Sequence, residues 1–318
     1  MNRVYTLGVC LLAALITCAP AAAQSYGYVS NQMGNTVSVI NRSTNAMVTQ
    51  LSFSGAGLSG LAITPNNAYV YVAAQTKNVV YAIKTSNNSV VATIPVGHSP
   101  VRIAITPNGT YAYVVNQGSN SVSVINTYTN TVIATVGVGS KPAGIAMTPN
   151  GTYALVTNLS SNTVSEINTY SNTVTATWHT QSGPCGIVVN PVGTLAYVTN
   201  QYSNTVTVHN VSSGSINTTL GGFLAPNGVT ITPNGSYLYV TNANKSTVSA
   251  IYTSNNSVVA TIPVGLLPTS ITVSSDGSTV YVTNGYGYSL SEINTYSNTV
   301  KTTISSVGLF PYSVGVYR

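Results

Sequence analysis

The chain has 318 residues, of which only 4% are charged, so its polar surface must be built mainly from Asn, Ser, Thr and Tyr. The formal net charge of +6 comes from nine basic and three acidic residues, which are scattered along the chain and form no runs. Binding along a nucleic-acid backbone requires clustered Lys and Arg, so this composition argues against a dedicated phosphate-binding face.

The first 23 residues have the pattern of a secretory signal peptide. Arg3 supplies a positive start, residues 7–16 form a short apolar core, and three alanines then predict cleavage before Gln24. The apolar segment is too short for a membrane span. A lipoprotein would use Cys18, but the residues before it fit that signal poorly. Cleavage leaves Cys185 as the single cysteine, so no intramolecular disulfide is expected.

A repeat of about 42 residues predicts the fold. A tetrapeptide similar to Tyr-Val-Thr-Asn recurs in seven copies. They begin at Tyr28, Tyr71, Tyr113, Leu155, Tyr197, Tyr239 and Tyr281. In the unit spanning 142–183, turn signals separate four short β-rich segments, and no helical periodicity interrupts them. Four antiparallel strands in each of seven repeats are typical of a seven-bladed β-propeller, an all-β fold.

The two ends of the chain predict how the ring closes. The mature chain opens on a second-strand segment, residues 26–31, with no first strand before it. It finishes on residues 311–316, which match the first strand of a blade. We therefore expect the C-terminal strand to complete the N-terminal blade, which protects the sheet edges of the ring. Residues 24–318 then form a single propeller domain.

Pro-Asn-Gly turns accompany the repeated tetrapeptide at Asn108, Asn150 and Asn234, while Asp276 keeps an acid at the same position. With these elements the chain resembles the YVTN-repeat β-propeller family over nearly all of its mature length. The family's turn is Pro-Asp-Gly, so the asparagines depart from it. The resemblance implies export, to the periplasm, the cell surface or the medium, and a role in binding or adhesion. It identifies no ligand, since propellers host many activities.

Residues able to carry catalysis are few and separated. His98, His179 and His209 fall at different positions of the repeat, so no shared metal is expected. Glu166 and Glu292 occupy the same third-strand position in blades three repeats apart. We interpret them as two exposed strand charges on opposite sides of the ring, too far apart for an acid/base pair.

The remaining nucleophile is a lone thiol. Cys185 has no evident base beside it in the sequence and is interpreted as a buried, inert cysteine. No nucleophile-elbow motif and no phosphate-cradling loop motif occurs. The sequence therefore predicts no catalytic residue, no metal and no cofactor.

One position breaks the repeat near the start of the predicted first strands. Six copies carry Gly or Ser there, and the seventh carries Arg102. The loops before the first strands lie on one face of a propeller, so Arg102 and His98 are placed at the channel mouth. At the adjoining position the side chains vary and include Cys185, Asn227 and Tyr312. A uniform ring with varied side chains suits a binding rim. The sequence therefore predicts a binding rim made of His98, Arg102, Cys185, Asn227 and Tyr312. The alternative is an Arg102 that is solvated or salt-bridged locally.

Three functions compete. The main prediction is a non-catalytic binding or adhesion module, a monomer that engages a protein or glycan partner through a polar, low-charge surface. The first alternative is a hydrolase-like or lyase-like enzyme with its site at the channel mouth, against which the shortage of acidic residues counts. The second alternative is a single-stranded nucleic-acid binder. It predicts a basic face formed by Arg42, Lys77, Lys84, Arg102 and Lys141.

Overall fold

A computed structural model describes residues 25–317 of the chain, so the predicted signal peptide lies outside the described residues. Residues 25–317 fold into 28 strands, which form seven antiparallel sheets of four strands each. This arrangement confirms the predicted all-β, seven-bladed propeller. In the same part of the chain, no helix is both long enough and apolar enough to cross a membrane.

The strands follow the repeat closely. In chain order they are β1 (Tyr26–Asn31), β2 (Thr36–Asn41), β3 (Ala46–Ser52), β4 (Leu58–Ile63), β5 (Tyr69–Ala74), β6 (Val79–Lys84), β7 (Ser89–Pro95), β8 (Pro100–Ile105), β9 (Tyr111–Asn116), β10 (Ser121–Asn126), β11 (Thr131–Gly137), β12 (Pro142–Met147), β13 (Tyr153–Asn158), β14 (Thr163–Asn168), β15 (Thr173–His179), β16 (Pro184–Val189), β17 (Leu195–Asn200), β18 (Thr205–Asn210), β19 (Ile216–Leu220), β20 (Pro226–Ile231), β21 (Tyr237–Asn242), β22 (Thr247–Tyr252), β23 (Ser257–Pro263), β24 (Pro268–Val273), β25 (Thr279–Asn284), β26 (Ser289–Asn294), β27 (Thr299–Ile304) and β28 (Pro311–Val316). A single 3-10 turn, Ala243–Lys245, precedes β22.

Ring closure occurs as the chain ends predict. Strand β28 pairs antiparallel with β1, with Gly27 opposite Val316 and Val29 opposite Val314. Blade 1 therefore has the order β28-β1-β2-β3, and blades 2 to 7 are built from four consecutive strands each, from β4–β7 to β24–β27. The first strands of neighbouring blades contact one another around the whole ring, including β24 with β28 and β28 with β4.

The apolar core lies between the blades. In every blade the second strand has five buried residues out of six. One buried cluster joins Tyr28 and Val37 of blade 1 to Leu61 and Val72 of blade 2, and similar clusters occur at the other blade contacts. Fully burying such a side chain contributes roughly 1.5–3 kcal/mol, so the Tyr and Val of each tetrapeptide hold adjacent blades together.

At four of the seven blade contacts, the repeated tyrosine also hydrogen-bonds to an asparagine in a turn of the next blade: Tyr28, Tyr71, Tyr113 and Tyr239 do so. The hydroxyl of Tyr113 donates to Asn172 Oδ1 (2.7 Å), and that of Tyr71 donates to Asn130 Oδ1 (2.7 Å). Asn172 has a φ of 54°, in the left-handed region that Asn tolerates in turns. The tyrosine and the asparagine of the turn between the third and fourth strands thus form a contact that recurs at these four places, whereas the hydroxyl of Tyr281 accepts from Arg42 Nε (2.9 Å).

The contact between blades 4 and 5 uses a different set of residues. Leu155 stands where the tyrosine is found in the other blades, and Gly214 occupies the turn position of the asparagine. A Cβ on Gly214 would lie 2.2 Å from Trp178, so the indole fills the space at this turn. Leu155 and Gly214 replace the tyrosine and the asparagine together, because a leucine has no hydroxyl to donate to an asparagine.

Replacing Tyr113 with phenylalanine should lower the free energy of unfolding by about 1 kcal/mol, the usual net value of a buried hydrogen bond. The variant keeps the ring but removes the donor to Asn172 Oδ1 and to the carbonyl of Thr169. Urea denaturation measures the change. Tyr128→Phe, at a side chain that is 96% exposed, is the matched control and should stay within about 0.5 kcal/mol of the wild type. Equal losses in both variants would contradict a stabilising role of this contact.

Candidate functional site

The first strands of the seven blades surround a central channel with a volume of about 730 Å³. Its lining runs from Arg102, Cys185 and Tyr312, near the starts of their strands, to Pro107 and Pro149, just beyond the ends of theirs. Each first strand is an edge of its sheet and pairs only with the second strand of its own blade. Unpaired backbone groups therefore face the channel, which makes it suited to polar ligands.

One end of this channel is distinguished by its side chains. It lies on the face that carries the loops before the first strands and the loops between the second and third strands, which we call the mouth face. Its lining includes Arg102, Cys185, Asn227, Tyr312 and the two amides of Gln117 and Gln201.

Close packing of the blades explains why glycine dominates the position that Arg102 occupies. A Cβ on Gly144 would lie 2.0 Å from the carbonyl oxygen of Cys185, and one on Gly186 would lie 2.3 Å from that of Asn227. Such distances are impossible without moving the backbone. Arg102 is therefore an exception within a ring that otherwise holds only Gly or Ser.

The guanidinium of Arg102 reaches past a neighbouring blade. Its Cζ atom lies 4.6 Å from the centre of the Tyr312 ring. Arg102 belongs to blade 3 and Tyr312 to blade 1, so the contact bypasses blade 2. The Nη1 atom of Arg102 is buried and has no hydrogen-bond partner. A cation–π contact of this kind is favourable, but it leaves the buried Nη1 group without a hydrogen-bond acceptor.

The thiol of Cys185 lies beside this group. Its Sγ donates to Gln201 Oε1 (3.3 Å), and the residue is 8% exposed. Burial raises the pKa of the Cys185 thiol to about 11, although the charge of Arg102 opposes the shift. Because the ordinary cysteine pKa already lies above 8, this thiol is uncharged at neutral pH. The structure thus confirms the predicted burial of this thiol.

Four of the five predicted rim residues line the channel: Arg102, Cys185, Asn227 and Tyr312. His98 does not belong to the lining. It is exposed, and its backbone carbonyl accepts a hydrogen bond from the N–H of Gly118 (2.9 Å). The structure therefore brings four of the predicted residues together and leaves the imidazole of His98 on the outer part of the mouth face.

Sequence reasoning missed the two glutamines of the lining. Gln117 and Gln201 directly follow the repeated tetrapeptide, and Gln32 and Gln75 occupy the same position in two other blades. Gln32 Nε2 donates to Gln75 Oε1 (2.9 Å). Glutamine thus occurs in four of the seven copies at the position after the tetrapeptide, and a comparison of that position across the copies would have found it.

The prediction that Glu166 and Glu292 are exposed strand charges is wrong. Glu166 is 9% exposed and Glu292 is 1% exposed. Each lies in a third strand, which pairs with the second and fourth strands of its sheet. Glu166 Oε1 accepts a hydrogen bond from Thr175 Oγ1 (2.8 Å).

The second buried carboxyl has basic neighbours. Burial raises the pKa of Glu292, against the opposing charges of Lys301 and Arg42. The third acid, Asp276, accepts hydrogen bonds in a turn, from Ser274 and Ser278. No acidic side chain belongs to the channel lining in the described part of the chain.

The predicted basic face is wrong as well. Lys77 and Lys141 lie in loops of the mouth face, and Arg102 points into the channel. Lys84 ends a third strand and Arg42 follows one, which places both on the opposite face. Successive strands run antiparallel, so loops one strand apart must lie on opposite faces. The five basic residues therefore cannot form one surface.

The three histidines are dispersed, and residues 25–317 contain no group of three or more His, Cys, Asp or Glu that could hold a metal ion. His209 is fully buried in β18. It stacks on Trp178 with ring centres 5.8 Å apart, and its Nδ1 hydrogen-bonds to the carbonyl of Gly214 (3.0 Å). His209 thus belongs to the modified contact between blades 4 and 5 rather than to the channel.

Burial lowers the pKa of the His209 imidazole, and the hydrogen bond to Gly214 only partly opposes this, because the charged form would lose its hydration. In the unfolded chain the group titrates near its ordinary pKa of about 6.5. As pH falls through that value, the unfolded state takes up a proton that the native state resists. The stability linked to His209 is therefore complete above this pH and declines below it, by at most about 1.4 kcal/mol per pH unit.

We predict that His209→Ile will flatten this decline, because the corresponding position is isoleucine in the other six blades. The expected result is a smaller fall in Tm between about pH 7.5 and about pH 5 than the wild type shows. Fluorescence of the single tryptophan, Trp178, reports unfolding at this contact. His179→Gln, at an exposed histidine in β15, should leave the pH profile unchanged. A decline of the same size in His209→Ile would show that other groups cause it.

Part of the chain is similar to a known protein family. Residues 19–133 match the model of the family described as lactonase, 7-bladed beta-propeller. The match covers about a third of the chain. A search of curated proteins found no significant match.

Many solved structures share the fold. Hydrazine synthase from Kuenenia stuttgartiensis is 22% identical, with a TM-score of 0.78 over 84% of this chain and 92% of that one. A functionally unknown protein from Desulfotomaculum acetoxidans is 19% identical, with a TM-score of 0.83 over 92% and 99%. A putative 6-phosphogluconolactonase from Bacteroides uniformis is 16% identical, with a TM-score of 0.75 over 92% and 99%. At these identities the likeness concerns the fold.

The prediction of a non-catalytic binding or adhesion module is wrong. The matching family is named for lactonases, which are hydrolases. The prediction relied on a polar, low-charge surface. It gave too little weight to the channel, a concave space in which Arg102 departs from the Gly or Ser of the other first strands. Recessed sites with few polar groups of this kind are typical of small-molecule binding.

Proposed function

We propose that the protein is a lactonase-like hydrolase whose site is the mouth-face end of the central channel. The observation that carries the proposal is the buried, unpartnered Nη1 of Arg102 in a channel of about 730 Å³. A guanidinium held in this way can polarise a carbonyl group. The lactonase family match supports hydrolysis of a cyclic ester as the reaction.

The reaction requires stabilisation of an oxyanion. Water attacks the carbonyl carbon of the lactone, and the carbonyl oxygen gains negative charge beside Arg102. The bond between that carbon and the ring oxygen then breaks, and the ring oxygen leaves as a hydroxyl group after taking up a proton. The products are a hydroxy-carboxylate and one released proton. Fixed donors aimed at a developing oxyanion are often the largest single catalytic contribution.

The protonation state of Cys185 favours water as the nucleophile. A thiol whose pKa is raised to about 11 holds little thiolate at neutral pH, and the thiolate is the reactive form. Cys185 and Gln201 instead shape the wall of the site, with the thiol donating to the amide oxygen. The amide nitrogen of Gln201 remains a donor for hydroxyl groups of a ligand.

The substrate that we propose is a lactone of a sugar acid. Two structural neighbours, from Bacteroides uniformis and Bacteroides fragilis, have titles that call them putative 6-phosphogluconolactonases. The amides of Gln117, Gln201 and Asn227 and the exposed backbone edges suit a ligand rich in hydroxyl groups.

We also propose that the chain is an exported YVTN-type propeller. Mass spectrometry of the protein from expressing cells tests this, with cleavage before Gln24 expected.

The direct test is hydrolysis of glucono-1,5-lactone by the purified mature protein, followed in a pH-stat by proton release. A rate that exceeds spontaneous hydrolysis and rises linearly with protein concentration is expected. Aliphatic γ- and δ-lactones are assayed in parallel to define the ring and the substituents accepted. Rates equal to the spontaneous rate for every lactone would reject the proposed function.

A further inference from the structure

The charge of Arg102 has no counter-charge within the described residues. The chain has only three acidic residues. Glu166 is hydrogen-bonded to Thr175 in blade 4, and Glu292 lies beside Lys301 and Arg42. Asp276 is held in a turn by two serines, at the end of a first strand and thus on the face opposite to the mouth.

The surroundings of the guanidinium are free of negative charge and contain hydrogen-bond donors. Tyr312 covers one face of the group at 4.6 Å, and Arg102 as a whole is partly buried in the channel lining, with Nη1 buried and unpartnered. The neighbouring thiol of Cys185 donates its hydrogen to Gln201. A buried N–H without a partner costs free energy that a suitable acceptor recovers, and an anion recovers more than a neutral acceptor does.

We infer that the channel mouth is a carboxylate-binding site in which Arg102 engages both carboxylate oxygens while stacked on Tyr312. The inference rests on the proposed function and deepens it, since opening a lactone creates a carboxylate at this place. It assigns hydroxy-carboxylates as ligands and as competitors of the substrate. The enzyme would therefore be inhibited by its own product.

The number of cations favours a carboxylate over a phosphate. The planar fork of one guanidinium matches the two oxygens of a carboxylate. A phosphate dianion carries about twice the charge, and its sites usually combine several cations or a row of backbone N–H groups. Arg102 is the one Lys or Arg in the channel lining of the described chain.

The experiment is calorimetric titration of the mature protein with sodium gluconate, gluconamide and inorganic phosphate. Gluconate should bind, while the neutral amide and phosphate should bind at least about 10-fold more weakly, as expected for the loss of a charge-assisted pair. Arg102→Met should weaken gluconate binding by a similar factor or more. Arg102→Lys keeps the charge but not the planar fork of the guanidinium, so its affinity for gluconate should lie between those of the wild type and Arg102→Met. Lys141→Met, which removes one positive charge from an exposed loop of the same face, should bind gluconate as the wild type does.

Three outcomes would overturn the inference: tighter binding of phosphate than of gluconate, equal binding of gluconate and gluconamide, or unchanged gluconate binding in Arg102→Met. Circular dichroism and thermal melting establish that each variant is folded. The inference and the proposed function fail separately. Arg102-dependent binding of gluconate without hydrolysis of any lactone would reject the hydrolase and keep the carboxylate site. Lactone hydrolysis without gluconate binding would reject the carboxylate site and keep the hydrolase.

Discussion

Replacing Arg102 with methionine should reduce kcat/KM for lactone hydrolysis by roughly 10²–10³-fold, the usual effect of removing one donor to an oxyanion. Methionine fills a similar volume but cannot donate a hydrogen bond. The loss should appear mainly in kcat, because the interaction strengthens as negative charge develops on the carbonyl oxygen. Initial rates in a pH-stat over a range of substrate concentrations separate the two parameters.

Two further variants make this result specific. Lys141→Met removes a charge from an exposed loop on the same face and should keep full activity. Cys185→Ala tests the alternative nucleophile. A loss in that variant as large as the loss in Arg102→Met would assign the attack on the carbonyl to the thiol. Full activity in Arg102→Met would remove the basis for placing the reaction at the channel mouth.

The fold could be predicted from the sequence because the contacts that build it repeat with the sequence. Tyr71 and Tyr113, for example, are equivalent in the repeat, and each donates a hydrogen bond to the equivalent asparagine of the next blade. Ring closure could also be predicted, because residues 311–316 match the first strand that blade 1 otherwise lacks. A periodic pattern predicts periodic contacts well.

The site depends on contacts that no period describes. Arg102 and Tyr312 are far apart in sequence, and they meet only because the ring is closed and the arginine reaches past blade 2. Their individual positions at the mouth could be predicted, whereas their stacking and the buried Nη1 could not. His98, only four residues from Arg102, lies outside the channel, so proximity in sequence was a poor guide to the composition of the site.

The burial of the glutamates shows a related limit. Glu166 and Glu292 lie in third strands of mixed polar and apolar residues, and a charge in such a strand usually indicates an exposed position. Both are buried because their third strands lie in the packed part of the blades, where five of six residues are buried. Local partners compensate the burial, such as Thr175 for Glu166. Which partners are near is a property of tertiary structure and is not visible in the repeat.

Substituting Gly144 with alanine should destabilise the protein by about 3 kcal/mol or more, at the upper end of the cost of overpacking. The added Cβ would lie 2.0 Å from the carbonyl oxygen of Cys185, so the strands β12 and β16 would have to separate. Thr157 Oγ1 bridges these strands: it accepts from the N–H of Gly144 (2.8 Å) and donates to the carbonyl of Cys185 (2.7 Å). Both hydrogen bonds would be strained.

Gly137→Ala is the matched control, because a Cβ there would have no atom within 4 Å. Alanine costs less chain entropy than glycine on folding, so this variant should be neutral or slightly more stable. Urea denaturation of both variants tests the difference, and equal stabilities would show that the ring of first strands is not closely packed. A large loss in Gly144→Ala alone would mean that this ring admits side chains only where its packing is relaxed.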